Sequence, residues 1–280
     1  MAGEAEEQLR AYLEYLRDIG IHDFYRQGEP VFAEVPVAPA AELRPLPVTT
    51  AVVVEEPVPS RPAFLEPPIA KLISFNDLAP LPESRVAPAH KVEALLAIQE
   101  EIGDCTRCPL AYAGRRKIVF ADGDANARLM FVGEGPGADE DVQGLPFVGK
   151  AGQLLNNMIQ AMGLKREQVY IANIVKCRPP ANRTPEPVEA NTCSQFLLKQ
   201  IDVVQPEIIV ALGSTAATYL LGVKQSMAGL RGKWHNCRGA KLAVTYHPAF
   251  LLRDPNMKGE AWKDLQMVMA EMGLQAPKKG

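Results

Sequence analysis

The stretch Arg128-Leu-Met-Phe-Val132-Gly133-Glu134-Gly135-Pro136-Gly137 decides the fold class. A short apolar run that ends on glycines reads as a strand covered on both faces and opening into a loop. Three later runs repeat the theme: VYIANIV over 169–175, EIIVAL over 207–212 and KLAVTY over 241–246. Helical patterns at Lys91–Ile102 and at 151–162, 187–204, 214–221 and 259–272 alternate with them. Strands alternating with helices imply parallel pairing through right-handed crossovers. The predicted class is therefore α/β, a three-layer α/β/α sandwich around a central, mostly parallel four-stranded sheet. In such sheets ligands bind beyond the carboxyl ends of the strands, so the residues just after each strand become the candidates.

Outside that core the chain changes character. Its 280 residues are 47% hydrophobic and 22% charged, as in ordinary soluble proteins. No apolar window reaches the ~18 residues of a membrane span. The acidic start MAGEAEEQLR lacks the pattern of a secretory signal, so no membrane and a cytoplasmic location are expected. Five cysteines, an odd number, argue against a disulfide scaffold. Residues 1–90 carry 7 basic and 14 acidic side chains, residues 91–280 carry 23 and 19, and 13 of the 24 prolines fall in the first 90. Repeated prolines deny that segment a long helix. The reading is an acidic, Pro-rich, largely disordered extension over 1–90 and one domain over 91–280. A short amphipathic helix fits 4–19, where Leu9, Leu13 and Leu16 share a face. For this helix and for the apolar run at 69–78 two readings stand: a piece that packs back on the domain, and a tethered peptide that docks on an unknown protein partner.

After the first strand, three glycines in five positions let backbone N–H groups approach a ligand. No Gly-Lys-Ser/Thr follows, no helix is expected to open directly after Pro136, and four acids within 134–141 would repel phosphate. A neutral ring or a developing cation suits this loop better than a pyrophosphate. Phe147, between Pro146 and Val148, offers a stacking face or fills the core. Asn173 interrupts an apolar strand, and its carboxamide can donate and accept along the edge of an imide ring. His247 stands at the end of the last strand, followed by Pro248.

The cysteines supply a second signal. Cys105 and Cys108 form a C-x2-C followed by Pro109, with Cys177 and Cys193 farther on. Four thiolates suit zinc or an iron–sulfur cluster, and the Cys-Pro pair favours the cluster. Cys237 is left over as a free thiol. Arg107, Arg115, Arg116, Lys117, Lys176, Arg178 and Arg183 gather around these thiols in sequence, a solvated face or a phosphate-backbone footprint.

Taken in order, Cys-x2-Cys-Pro, GEGPG with DED, GLPFVGKAGQLL, YIANIVKCRPP with NR, a further Cys, EIIVALG and HPAFLLR closely resemble the family 4 uracil-DNA glycosylases that hold an iron–sulfur cluster. The likeness runs from about Cys105 to Met269. It implies a [4Fe–4S] cluster on Cys105, Cys108, Cys177 and Cys193, and hydrolysis of the N-glycosidic bond of deoxyuridine extruded from single- or double-stranded DNA. It also implies that Phe147 stacks on uracil, Asn173 reads its edge, His247 faces O2, and Glu134 and Gly135 border ring and sugar. Lys150, Arg178 and Arg253 would meet DNA, and Leu251 or Leu252 would fill the vacated stack.

One departure matters. Where better-known uracil glycosylases carry a water-orienting Asp and a methyl-excluding Tyr, this chain has Gly135 and Gly137. Glu134 and Glu140 become the candidates for activating water, ahead of Asp139 and Asp141, and the sequence does not rank the two. No basic insertion surrounds TYHPAFLLRDPN and no Lys is placed as a Schiff-base nucleophile, so a monofunctional, monomeric hydrolase is expected. Two rivals stand: a non-catalytic iron–sulfur module that binds uracil-containing DNA, and an unrelated α/β enzyme stapled by zinc. Removing residues 1–88 is expected to spare activity on naked DNA.

Overall fold

The computed structural model describes residues 72–275. The helix expected at 4–19 lies outside them. Nine α-helices and six strands make up most of the described part. Helices α1 (Phe75–Leu78) and α2 (Lys91–Ile102) lead to strands β1 (Asp122–Gly123) and β2 (Leu129–Gly133). Helices α3 (Ala138–Gln143) and α4 (Lys150–Ala161) precede β3 (Tyr170–Asn173). Then come α5 (Pro187–Val204), β4 (Ile208–Leu212), α6 (Gly213–Leu221), α7 (Met227–Leu230), β5 (His235–Cys237), β6 (Ala240–Thr245), α8 (Pro248–Arg253) and α9 (Lys258–Met272).

The sheet order is β1-β3-β2-β4-β6-β5. The four expected strands make its parallel centre, with Gly133 beside Asn173 and Leu212 beside Thr245. The expected four-stranded sheet is corrected to six, because β1 and β5 pair antiparallel on the two edges. Neither edge strand carries an apolar run: β1 is Asp-Gly and β5 is His-Asn-Cys, so periodicity gave no sign of them. Beta5 turns into β6 through Arg238 and Gly239, both at positive φ (52° and 80°), the backbone that a two-residue hairpin favours.

Alternate side chains of the central strands feed two apolar layers. Met130, Val132, Ala172, Ile209, Ala211, Leu242 and Val244 face α2, α5 and α6, while Leu129, Phe131, Ile171, Val210 and Ala243 face α4 and α9. Both layers sit over strands buried along their whole length, which is why these strands read as unbroken apolar runs.

The domain start expected at residue 91 lies too late in the chain. Phe75 is 1% exposed, and the buried Arg238 guanidinium donates to the carbonyls of Phe75, Ala79 and Pro80 while pairing with both carboxylate oxygens of Asp202. Asn76 Oδ1 accepts from Arg238 N–H at 2.6 Å. Residues 72–80 are thus the packed-back form of the apolar run at 69–78.

Candidate active site

Because the central strands run in parallel, Gly133, Asn173, Leu212 and Thr245 end together. Strand order reverses beside β2, whose chain neighbour β3 lies on one side and β4 on the other. A cleft of about 820 Å³ opens there, lined among others by Glu134, Gly135, Glu140, Phe147, Asn173 and His247.

Gly133 sets the floor. A Cβ on it would fall on Asn173 Oδ1 and the Phe147 ring, so glycine is what lets amide and ring approach each other. Phe147 is 6% exposed and at φ 52°, held there by Arg166, which donates to the Pro146 and Phe147 carbonyls at 2.6 and 3.1 Å. Arg166 is itself anchored by Asp122 at 2.7 Å and Asn156 at 2.8 Å. The left-handed backbone carries a strain of order 1 kcal/mol, which such over-determined contacts can hold. Nothing in AMGLKREQ singled out Arg166; it was missed because its partners are backbone carbonyls on a distant loop.

Asn173 is 2% exposed, and its Oδ1 has no hydrogen-bond partner among the described residues. His247 caps α8: its Nδ1 accepts from the Ala249 N–H at 3.1 Å, which leaves the proton of a neutral ring on Nε2. Burial, then the Arg253 charge, pushes the imidazole down to about 4, so it is neutral at physiological pH. Its ring lies 5.6 Å from that of Phe147, tilted by 33°.

The two acidic candidates separate clearly. Glu140 is buried, and its carboxylate accepts from the N–H groups of Gly137, Val148 and Gly149 at 2.9–3.0 Å. These three bonds tie the glycine loop to the Phe147 loop. Glu134 lines the cleft, and burial holds its carboxyl above the usual range, opposed by a hydrogen bond with Thr215. Asp141 is buried and accepts from Arg116 and Lys117 N–H, while exposed Asp139 lines the cleft. A helix does open directly after the glycines, at Ala138, against expectation. Its first turn carries three acids, which suits a helix N-terminus.

At the rim, Lys150 and Arg253 are exposed and line the cleft. Arg178 does not line it, but bonds Asn182, which does. Leu252 is 44% exposed, whereas Leu251 is 1% exposed on the inner side of α8 and is removed as a wedge candidate. The expected basic footprint also shrinks. Lys176 is buried, Arg115 pairs with Asp104, Arg183 grips Glu189 with two bonds, and Arg107 donates to Cys105 Sγ at 3.3 Å and to two carbonyls. Of that group only Arg115 and Arg183 form ion pairs among the described residues, while the side chains of Arg116, Lys117 and Arg178 meet neither a carboxylate nor a thiol.

Cys105, Cys108, Cys177 and Cys193 border a second, small cavity together with Arg107, Arg115, Lys176 and Phe196. Donors surround the sulfurs: Arg115 reaches Cys177 Sγ at 3.4 Å, and the Lys176 N–H reaches Cys193 Sγ at 3.2 Å. Among the described residues, no three His, Cys, Asp or Glu are disposed around a single ion. The four thiols line one cavity, a donor set of the kind that holds an iron–sulfur cluster. Cys237 is buried elsewhere, where burial pushes its thiol up to about 12.

Comparison with known proteins agrees with this arrangement. The profile described as "Uracil DNA glycosylase superfamily" matches residues 120–266. The chain is 46% identical over 164 residues to the type-4 uracil-DNA glycosylase of Thermotoga maritima, covering 58% of this chain and 85% of the relative. It is 41% identical to the type-4 uracil-DNA glycosylase of Pyrobaculum aerophilum, covering 62% and 92%. The corresponding enzyme of Archaeoglobus fulgidus is 37% identical, covering 66% and 97%. The chain belongs to the uracil-DNA glycosylase superfamily and, within it, to the type-4 family.

Proposed function

We propose that the cleft receives a deoxyuridine swung out of DNA and hydrolyses its N-glycosidic bond, releasing uracil and leaving an abasic site. The observation that carries this reading is the buried, unpartnered Asn173 Oδ1 beside Phe147 and His247. An unpaired buried acceptor costs about 1–3 kcal/mol until a ligand supplies the donor. Uracil N3–H is such a donor, and the Asn173 amide N–H meets O4. Cytosine offers an amino group where O4 would be and no proton on N3, so both bonds are lost.

Phe147 supplies the plate on which the ring stacks. As the bond from C1′ to N1 breaks, its electron pair moves onto the uracil ring and O2. The neutral His247 donates Nε2–H to that growing charge without having to give up a proton. Water adds to C1′, and Glu134 accepts the water proton. Its desolvated carboxylate is more basic than a solvated one and also faces the positive sugar. Lys150, Arg178 and Arg253 take phosphates, and Leu252 enters the gap left by the base. Glu140 fixes the loops that carry these groups. In this reading the chain acts as a monomer and hydrolyses the bond without cleaving the strand.

Cys105, Cys108, Cys177 and Cys193 would hold a [4Fe–4S] cluster. These thiols lie in the loop before β1, the segment after β3 and helix α5, which the cluster would cross-link, and Arg107, Arg115 and Lys176 would answer its net negative charge. The test of the whole reading is release of free uracil from oligonucleotides bearing one deoxyuridine, with strand breakage only after alkali. An uncut strand, with Asn173→Ala indistinguishable from the parent, rejects it.

A further inference from the structure

Between the cysteine cavity and the cleft lies a charge that the proposed reaction does not use. Lys176 is 1% exposed. Its Nζ donates to the Asn173 carbonyl at 3.0 Å and to Gln200 Oε1 at 2.6 Å. Both acceptors are neutral, and among the described residues Lys176 forms no ion pair with a carboxylate. The Gln200 oxygen has no freedom to turn away, because its amide N–H groups are directed at Tyr170 Oη and the Phe120 carbonyl. A buried ammonium with only neutral partners is unfavourable unless an opposite charge stands near it.

That charge is available on one side only. Lys176 lines the cavity of the four cysteines, precedes Cys177 in the chain, and donates its own N–H to Cys193 Sγ. Arg115 and Arg107 also reach sulfurs, but Arg115 is paired with Asp104 and Arg107 is exposed. Lys176 meets a thiol of that cavity through its backbone N–H, and its ammonium, within electrostatic reach of Cys193, holds the peptide of the base-reading residue.

We propose that Lys176 is a positioning residue that couples the two sites: the negative charge of the thiolate-held cluster keeps its ammonium in place, and the ammonium holds the Asn173 carbonyl, so that the Asn173 amide meets uracil at the correct angle. The inference rests on the cluster assignment made above. It accounts for why the two sites share one short segment, Asn173–Cys177, with a single lysine inside it.

The test uses the full chain purified without oxygen. Lys176→Met removes charge and donor, whereas Lys176→Gln removes the charge and keeps a donor for the Asn173 carbonyl. Bleaching of the visible cluster absorption by ferricyanide reports the charge, because an electron leaves an anionic group more easily once a neighbouring cation is gone. Both variants should bleach at least about threefold faster than the parent. Turnover on a deoxyuridine oligonucleotide reports the coupling: kcat should fall roughly tenfold or more in Lys176→Met with KM within about twofold, and less in Lys176→Gln. Should Lys176→Met fail to fold, Gln200→Glu keeps the lysine but gives it a carboxylate partner, and should also bleach faster. Parental bleaching rates in Lys176→Gln and Gln200→Glu, or parental kcat in a folded Lys176→Met, overturn the proposal. A parent protein with no visible cluster absorption removes the cluster assignment itself, and this inference with it.

Discussion

At the scale of single residues, the site is built from side chains whose roles follow from what they already touch. His247 spends Nδ1 on the Ala249 N–H, so Nε2–H is its only free function, and the ring stays neutral because burial pushes it down to about 4. His247→Ala should lower kcat by about 10²–10³, the usual cost of losing a donor to a developing anion. The same shift has a stability signature. An unfolded chain protonates this imidazole below about pH 6.5 while the native ring refuses the proton until about pH 4. The ring's contribution is therefore fully present above pH 6.5 and lost as pH falls toward 4, so the parental Tm should decline through that window more steeply than that of His247→Ala.

The carboxylates divide in the same way. Glu134→Gln should cost about 10² or more in kcat and leave Tm near parental. With Glu134 as base, the parental rate should fall with acid at a pH above the ordinary carboxylate value, the raised direction that burial gives it. Glu140→Gln puts an amide N–H against a backbone donor, costing about 1–3 kcal/mol of stability, and should lower Tm while disordering the Phe147 loop. An unchanged Tm in Glu140→Gln would contradict the organising role. Gly133→Ala places a methyl on Asn173 Oδ1 and Phe147, and should abolish uracil binding.

At the scale of elements, the parallel centre was legible because doubly covered strands must be apolar, and helices such as Pro187–Val204 lie between prolines, Pro187 at the first turn and Pro206 just beyond the end. Strands β1 and β5 were not legible, and the run at 69–78 that contains α1 left two readings open: these pieces are short, and their stability comes from partners far away in sequence. Arg238 and Phe75 are 163 residues apart, and no local pattern announces such a bond. The same blindness hid Arg166 and misjudged Leu251, whose burial depends on which side of α8 meets the domain. Phe147, Asn173, His247 and the four cysteines were legible because their types are out of place in their local context. The truncation expectation changes accordingly. Removing residues 1–71 should leave uracil excision on naked DNA intact, whereas removing residues 1–88 strips Phe75 and the carbonyls that Arg238 binds, and should lower Tm sharply. Equal Tm values for the two truncations would refute the packing role of residues 72–80.

At the scale of the whole molecule, one segment serves two structures. Residues 173–177 end a central strand, present the Asn173 amide to the cleft and deliver a cysteine to the second cavity. Cross-linking by the proposed cluster would therefore stabilise the same strand end that the sheet holds. The most direct measurement is uracil released from an oligonucleotide with a single deoxyuridine, set beside an identical strand carrying deoxycytidine, for the parent and for Asn173→Ala. Stoichiometric uracil from the first strand alone, with release greatly reduced in Asn173→Ala, is the predicted result. No release by the parent, or equal release by the variant, contradicts the account.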